Sequence, residues 1–251
     1  MMFLDNPLGL FVVTFLLLWL GAGVGILLRG GRRELPESMR EDYGIIVGAT
    51  LTLLGLIIGF TFSMATTRYD LRKNLEEEEA NAIGTEYVRA DFLPAQDASR
   101  LRTLLRQYTD LRIEFYKADQ DKLPQVNRST TGIQNQLWSV LAASAKANPS
   151  PLAAVAATGM NDVLNSQGYT QAAWWNRIPK AAWALLYIIA IVSNVLLGYG
   201  AHGKALALSL VLPLLVSISF LLISDIDSPR GGIIRVQPQN LAALADSLKA
   251  P

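Results

Sequence analysis

Two groups of acidic residues are the first candidates for chemistry, because paired carboxylates transfer protons or bind cations. Residues 76–79 read Glu-Glu-Glu-Glu, and Asp225 and Asp227 end an apolar stretch. Consecutive residues of a helix point in different directions, and 76–79 lacks the alternating acids and central glycine of an EF-hand. The run therefore predicts a solvated helix face, with a cation-gathering pore mouth as the alternative. The aspartates either act on ions at a membrane edge or mark where a helix turns in water.

The sequence lacks the residues on which most enzyme and metal sites depend. It has no cysteine and a single histidine, His202. Protein zinc sites draw on several Cys and His ligands, and a Ser-His-Asp triad would need a nucleophile elbow that this sequence lacks. No phosphate-binding glycine loop is present, and a net charge of +1 gives no basic face for nucleic acid. The sequence predicts no enzyme activity, no metal, no cofactor and no nucleic-acid partner.

Four glycines lie on one face of a predicted helix over residues 43–67. They are Gly44, Gly48, Gly55 and Gly59, and they fall within about 60° on a helix that turns about 100° per residue. Such a face lets another helix approach closely, as small residues do between membrane helices. We interpret the four glycines as a helix-packing surface.

A second stripe lies beside the glycines on the same helix. Thr52, Leu56 and Phe60 follow one another at intervals of four residues, and Ser63 lies nearby. If the helix were repeated around an axis, this stripe would line a narrow apolar pore, and hydrophobic constrictions of this kind gate by dewetting. Without an oligomer, the same stripe would face lipid.

Four stretches without charged residues position these side chains: 8–28, 43–67, 181–199 and 205–224. Each approaches or exceeds the roughly 20 residues that a helix needs to cross a hydrocarbon core about 30 Å thick. Helices are expected because backbone polar groups must be satisfied inside lipid. The composition agrees, with 51% apolar and 17% charged residues, whereas soluble domains carry roughly a quarter charged residues. The first stretch exceeds the length of a signal-peptide core, which favours a membrane span.

The region between the second and third stretches is polar but keeps a helical period. Apolar side chains recur at spacings of three and four over residues 101–115, and weaker stripes follow over 133–141 and 152–164. Residues 124–131 predict a turn, and the Asn-Pro-Ser-Pro sequence at 148–151 predicts a helix break. No alternation typical of a strand is present, so the region predicts a set of amphipathic helices continuous with the second span.

The sequence therefore predicts an all-α polytopic membrane protein with four transmembrane helices and a helical extramembrane insertion. Its parts are a first helix pair (1–67), the insertion (68–180), a second helix pair (181–224) and a tail (225–251). The side of the membrane that holds the insertion stays open. Arginines in the short link after the first span place the insertion outside the cytoplasm, whereas the total of Lys and Arg near the span ends favours the reverse.

The end of the second span resembles the corresponding segment of bestrophins. Gly59-Phe60 is followed by Thr-Arg-Tyr-Asp at 67–70, and residues 225–231 (Asp-Ile-Asp-Ser-Pro-Arg-Gly) are similar to the bestrophin segment after the fourth span. The stretch 59–91, with Glu-Ala-Asn-Ala-Ile-Gly-Thr at 79–85, is similar to a group of small bacterial bestrophin-like membrane proteins.

The resemblance implies a homo-oligomeric ion channel of the bacterial inner membrane, pentameric as in bestrophins and passing small inorganic anions. It implies a hydrophobic neck formed by Thr52, Leu56 and Phe60, which are the residues that helix geometry selects. A pore-mouth or structural role is expected for Arg68, Tyr69, Asp225 and Asp227. The alternative is a non-conducting membrane scaffold that binds a partner protein through the inserted helices, in which the 101–115 stripe would be only partly buried.

Overall fold

The computed structural model describes residues 7–29, 37–201 and 210–249. Every regular element in these ranges is a helix and none is a strand, so the all-α prediction is confirmed there. The helices in chain order are α1 (Pro7–Leu28), α2 (Glu37–Arg89), α3 (Ala95–Lys117), α4 (Leu123–Ala147), α5 (Pro151–Trp175), α6 (Lys180–Gly200), α7 (Val211–Asp227) and α8 (Gln239–Lys249). A short 3-10 helix, Ala90–Phe92, follows α2.

Three helical stretches are long and apolar enough to cross a membrane: Pro7–Leu28, Ser38–Phe92 and Pro151–Gly200. The first part of the fourth predicted span, residues 205–209, lies outside the described residues. Its remainder belongs to α7, of which 17 residues are described.

The chain forms two compact units. The first, here called the membrane unit, comprises Met1–Arg68 and Arg177–Arg235, and the second, here called the insertion unit, comprises Tyr69–Asn176 and Val236–Pro251. α2 contributes residues to both units, since it continues without interruption through Arg68. No proline occurs among its 53 residues, and a helix of that length measures about 80 Å.

In the membrane unit, α1 packs against α6 and α7. The contact with α6 depends on two glycines, Gly25 of α1 and Gly198 of α6. A Cβ atom at Gly25 would overlap the Val195 carbonyl, and one at Gly198 would overlap the Ala22 carbonyl. The hydroxyl groups of Thr14 and Tyr187 also form a 2.7 Å hydrogen bond between these helices. Small residues thus allow the close backbone approach that is typical of membrane helix packing.

The core of the insertion unit is built on the apolar stripe of α3. Leu101, Leu105, Tyr108 and Phe115 are all buried, which confirms the predicted stripe. Other buried members of this core come from α2, α4 and α5, among them Ile83, Leu137, Leu141, Met160 and Val163. The stripe is therefore covered by helices of the same chain.

The turn predicted over residues 124–131 is wrong, because α4 begins before it and continues through it. Pro124 lies in the first turn of α4, where the missing backbone N–H would have had no helical partner. The helix break predicted at 148–151 is confirmed. The Ser150 side chain accepts the backbone N–H of Ala153 at 3.0 Å and so caps the start of α5.

Candidate functional site

Only one side of the membrane part of α2 is buried in the chain. Leu54, Thr61 and Ala65 are buried, and their spacing places them within about 40° of one another around the helix. Near the start of the same side, the Tyr43 hydroxyl donates a hydrogen bond to the Leu196 carbonyl of α6. This side attaches α2 to the membrane unit, and the opposite side is left free.

The predicted pore stripe lies on the free side of α2. Thr52, Leu56, Phe60 and Ser63 are all exposed, with Leu56 52% and Phe60 60% accessible. Each lies at least about 120° around the helix from Leu54. These four side chains are thus brought together on one surface, and no other part of the described chain covers it.

Threonine hydroxyl groups on and beside this surface bond to carbonyl groups of the helix itself. The Thr52 hydroxyl donates to the Gly48 carbonyl at 2.9 Å, and the Thr67 hydroxyl donates to the Ser63 carbonyl at 2.9 Å. A threonine bonded in this way presents its methyl group and no free donor. Thr52 therefore adds little polarity to the stripe, although it is a hydroxyl residue.

The four glycines of α2 also lie on its free side. A Cβ atom built at Gly44, Gly48, Gly55 or Gly59 would meet nothing within 4 Å in the described part of the chain. The glycines that do pack inside the chain, such as Gly25, behave differently, because a Cβ there would overlap the backbone of α6. Within the described residues, the α2 glycines therefore take no part in packing between helices of one chain.

The free face of α2 also differs in composition from the exposed faces of the other membrane helices. The exposed surface of α1 is rich in large apolar side chains, including Leu16, Leu20 and Leu27, and α7 exposes Leu215 and Ile218. Such surfaces suit contact with lipid chains. On α2, large side chains alternate with glycine, threonine and serine, and small residues are enriched where membrane helices contact one another.

At the end of the second span, the Arg68 guanidinium donates to the Met64 carbonyl on the same helix at 3.5 Å. Tyr69 is partly buried and packs against the core of the insertion unit. A pore-mouth or structural role for these two residues stays a prediction.

The two aspartates in the last turn of α7 bind different segments of backbone. Asp225 accepts the backbone N–H groups of Ile233 and Ile234 at 2.7 and 2.8 Å, one on each carboxylate oxygen. Asp227 accepts the backbone N–H of Ile178 at 3.2 Å and the Arg177 guanidinium at 3.4 Å. Both carboxylates are buried. Asp225 thus holds the chain that leaves α7, and Asp227 holds the segment before α6.

The run of four glutamates divides into two pairs with different surroundings. Glu76 and Glu79 are buried, whereas Glu77 and Glu78 are exposed. The predicted solvated face is therefore right for the middle two residues and wrong for the outer two. Residues three apart share a helix face, and in this case that face points into the insertion unit.

Glu76 holds the C-terminal helix to α2. Its Oε1 atom accepts the backbone N–H of Leu241 at 2.9 Å, and its Oε2 atom accepts the Asn240 side-chain amide at 2.7 Å. Both donors belong to the first turn of α8, whose N–H groups have no partners within the helix. A carboxylate there is also favoured by the helix dipole.

Glu79 forms a fully buried ion pair with Arg112 of α3. The Arg112 Nε atom lies 2.5 Å from Glu79 Oε1, and both side chains have 0% exposure. The Thr170 hydroxyl of α5 donates to the second carboxylate oxygen at 3.2 Å, and the guanidinium lies 4.4 Å from the Phe115 ring centre. Burial, together with the nearby Glu79 charge, raises the pKa of the Tyr116 hydroxyl. This pair joins α2, α3 and α5 and was not predicted.

The described residues contain no group of three or more His, Cys, Asp or Glu side chains that would hold a metal ion. His202 lies outside the described residues.

An all-helical chain with several helices able to cross a bilayer is a polytopic membrane protein. A family model described as the bestrophin-like domain matches residues 12–241 of this chain. The chain therefore belongs to the bestrophin-like family. No curated protein matches its sequence.

Solved structures with a similar fold include a bacterial bestrophin homologue from Klebsiella pneumoniae. That structure has a TM-score of 0.64 and 16% sequence identity, over 94% of this chain and 95% of the other. A tryptophan-to-alanine variant of the same homologue gives a TM-score of 0.65 at 16% identity, over 95% of this chain and 93% of the other. The common fold extends over almost the whole length of both chains.

Proposed function

We propose that this protein is the subunit of a homo-oligomeric ion channel in a bacterial inner membrane, with α2 of each copy lining a hydrophobic neck. In this proposal α7 completes the fourth span, and the chain is organised as residues 1–67 and 181–224 in the membrane, with the insertion at 68–180 and the tail at 225–251. The number of copies is five and the permeant ions are small anions, as in the bestrophins that the sequence resembles.

The free face of α2 is the observation that carries this proposal. It is apolar, it contains four glycines that no part of the described chain contacts, and it includes the stripe of Thr52, Leu56 and Phe60. If the α2 helices of several copies packed against one another through these glycines, the stripe of Thr52, Leu56 and Phe60 beside them would face the symmetry axis of the oligomer. A single chain offers no such enclosure, so the pore exists only in the oligomer.

A neck of this kind explains how ions would cross and how flow would be controlled. Transfer of a bare ion through the low-dielectric core is prohibitive, so conduction needs a hydrated path. Phe60 and Leu56 supply the largest side chains of the stripe and would form its narrowest part. Narrow apolar segments lose their water readily, which closes the path without a physical plug.

The scaffold alternative finds less support. It needs an apolar surface of the insertion to be available for a partner protein, and the 101–115 stripe is the strongest such surface in the sequence. Leu101, Leu105, Tyr108 and Phe115 of that stripe are buried within the insertion unit. A partner would have to bind elsewhere.

Planar-bilayer recording on purified protein tests the proposal. Wild-type protein is expected to conduct, and Phe60→Ala and Leu56→Ala are expected to raise the current per molecule about twofold or more, because a wider neck keeps its water. The reversal potential in a chloride gradient gives the ion preference. Leu16→Ala on α1 is the matched control, since its leucine is similarly exposed, at 45% against 52% for Leu56. Absence of current from wild type and from both neck variants, in folded oligomeric protein, would refute the channel.

A further inference from the structure

Glu86 is a buried carboxyl group without a hydrogen-bonding partner. It lies on α2 within the insertion unit, its residue exposure is 0%, and neither carboxyl oxygen has a hydrogen bond. Buried polar groups in proteins are nearly always hydrogen-bonded, so each exception calls for an explanation. Glu86 has no part in the neck or in the Glu79–Arg112 pair.

The backbone of α5 lies directly against this carboxyl group. A Cβ atom at Gly159 would overlap both the Glu86 Oε2 atom and the Arg89 Nη1 atom. Both atoms are the ends of flexible side chains, so a larger residue at position 159 would displace the Glu86 carboxyl group and the Arg89 guanidinium. The neighbouring residue Met160 is also fully buried, so the α2–α5 contact is tightly closed around Glu86.

Two charged groups act on Glu86, one from each helix. The pKa of the Glu86 carboxyl is raised from its ordinary value of 4.5 to about 8, chiefly because the group is buried. The positive charge of Arg89 on α2 opposes this rise, and the negative charge of Asp162 on α5 adds to it. Arg89 already supplies a positive charge beside Gly159, which disfavours a metal ion at this place. Burial and the negative charge of Asp162 both favour the protonated form of the Glu86 carboxyl group. We therefore take a proton, not a metal ion, as the ligand of this site.

We propose that Glu86 is a proton-binding site that controls the contact between α5 and α2. With its proton bound, the neutral carboxyl fits the closed contact. When the O–H bond ionises, the proton passes to solvent water and leaves a buried carboxylate, neither oxygen of which has a hydrogen bond in the closed contact. The first turns of α5 then separate from α2 to admit water. This inference concerns the insertion unit alone and does not depend on conduction.

The direction of the pH effect follows from the raised pKa. The closed contact binds the proton more tightly than the open one, so its stabilisation is complete below pH 4.5 and is lost as pH rises to about 8. Between these two pH values, the population of the open state relative to the closed state rises about tenfold per pH unit. Above about pH 8 this population ratio is constant.

Hydrogen exchange of full-length protein in detergent between pH 5 and 9 tests this proposal. Exchange rates of α5 peptides are divided by those of α3 peptides, which removes the intrinsic pH dependence of exchange. The normalised α5 rate is expected to rise about tenfold per pH unit and to level off near the Glu86 pKa. Glu86→Gln, a neutral residue of the same shape, is expected to give a flat profile.

Variants of the two charged neighbours, half-buried Arg89 and exposed Asp162, keep the test independent of any folding defect in Glu86→Gln. Arg89→Gln removes the favourable charge and is expected to move the levelling point to higher pH. Asp162→Asn removes the like charge and is expected to move it to lower pH. A wild-type profile that is flat or equal to that of Glu86→Gln would overturn the proposal, as would shifts of these two variants in the opposite directions.

Discussion

Arg112→Met is expected to lower the free energy of unfolding by about 3–5 kcal/mol, because it leaves the buried Glu79 carboxylate without its counter-charge. Both members of the pair have 0% exposure, so water does not replace the lost guanidinium. Thr170 would remain as a donor to the carboxylate. A single hydroxyl does not compensate for the removal of a charge inside a low-dielectric core.

Thermal unfolding of detergent-solubilised protein, followed by tryptophan fluorescence, measures this effect. The double variant Glu79→Met/Arg112→Met is expected to lose less stability than the two single variants together, since an apolar pair leaves no buried charge. Lys249→Ala serves as the control because it breaks the exposed pair with Asp246, which has side-chain exposures of 66% and 83%. A stability loss for Arg112→Met as small as that of Lys249→Ala would contradict the account.

Gly55→Leu and Gly59→Leu are expected to dissociate the oligomer without unfolding the chain. Nothing lies within 4 Å of a Cβ atom at either glycine in the described residues, so a single chain accommodates the leucine. Between packed copies, the added side chain would force the helices apart. Overpacking costs about 1–3 kcal/mol at each contact, which corresponds to about 5- to 150-fold in each subunit dissociation constant.

Mass measurement of the purified protein in detergent tests this expectation directly. Wild type should have the mass of a pentamer, and the two glycine variants should shift toward the monomer with an unchanged unfolding temperature. Gly198→Ala serves as the control, because its Cβ atom would overlap the Ala22 carbonyl inside the same chain. This variant should lower the unfolding temperature of the protein. Glycine variants with the wild-type mass would show that the free face of α2 does not hold the copies together.

The membrane helices could be predicted because their sequences are almost entirely apolar. The buried face of α3 could be predicted because its apolar residues recur at regular helical spacing. A stretch such as 43–67 has no other stable form in lipid than a helix, and Leu101, Leu105 and Tyr108 occupy one face at any helical pitch near 3.6 residues per turn. Both predictions depend on a single element. A prediction of this kind needs no information about the other helices that the predicted helix contacts.

Predictions that depend on two elements were less successful. The sequence predicts one solvated face for residues 76–79, whereas Glu76 binds α8 and Glu79 binds α3 through partners distant in sequence. One signal was available, since Arg112 falls four residues after Tyr108 and three before Phe115, within the apolar stripe. A charged residue at such a position predicts a buried partner, but spacing alone does not identify that partner as Glu79.

The burial of Glu86 could not be predicted from the sequence. Its burial results from the close approach of α5 at Gly159, 73 residues further along the chain, and nothing in the local pattern around Glu86 distinguishes it from an exposed glutamate. The same holds for the free side of α2. The pattern indicated a glycine face and a stripe, but the opposite face, with Leu54, became identifiable only from tertiary contacts.

The most direct test of the central claim is the accessibility of the α2 stripe to a charged thiol reagent during conduction. The chain has no cysteine, so Leu56→Cys and Phe60→Cys each carry a single thiol. We expect a methanethiosulfonate reagent, added to either variant in a planar bilayer, to change the current at once. The same treatment of Leu16→Cys on the exposed apolar surface of α1 should change nothing. Insensitivity of both stripe variants, in protein that conducts, would place the path of the ions elsewhere and contradict the account.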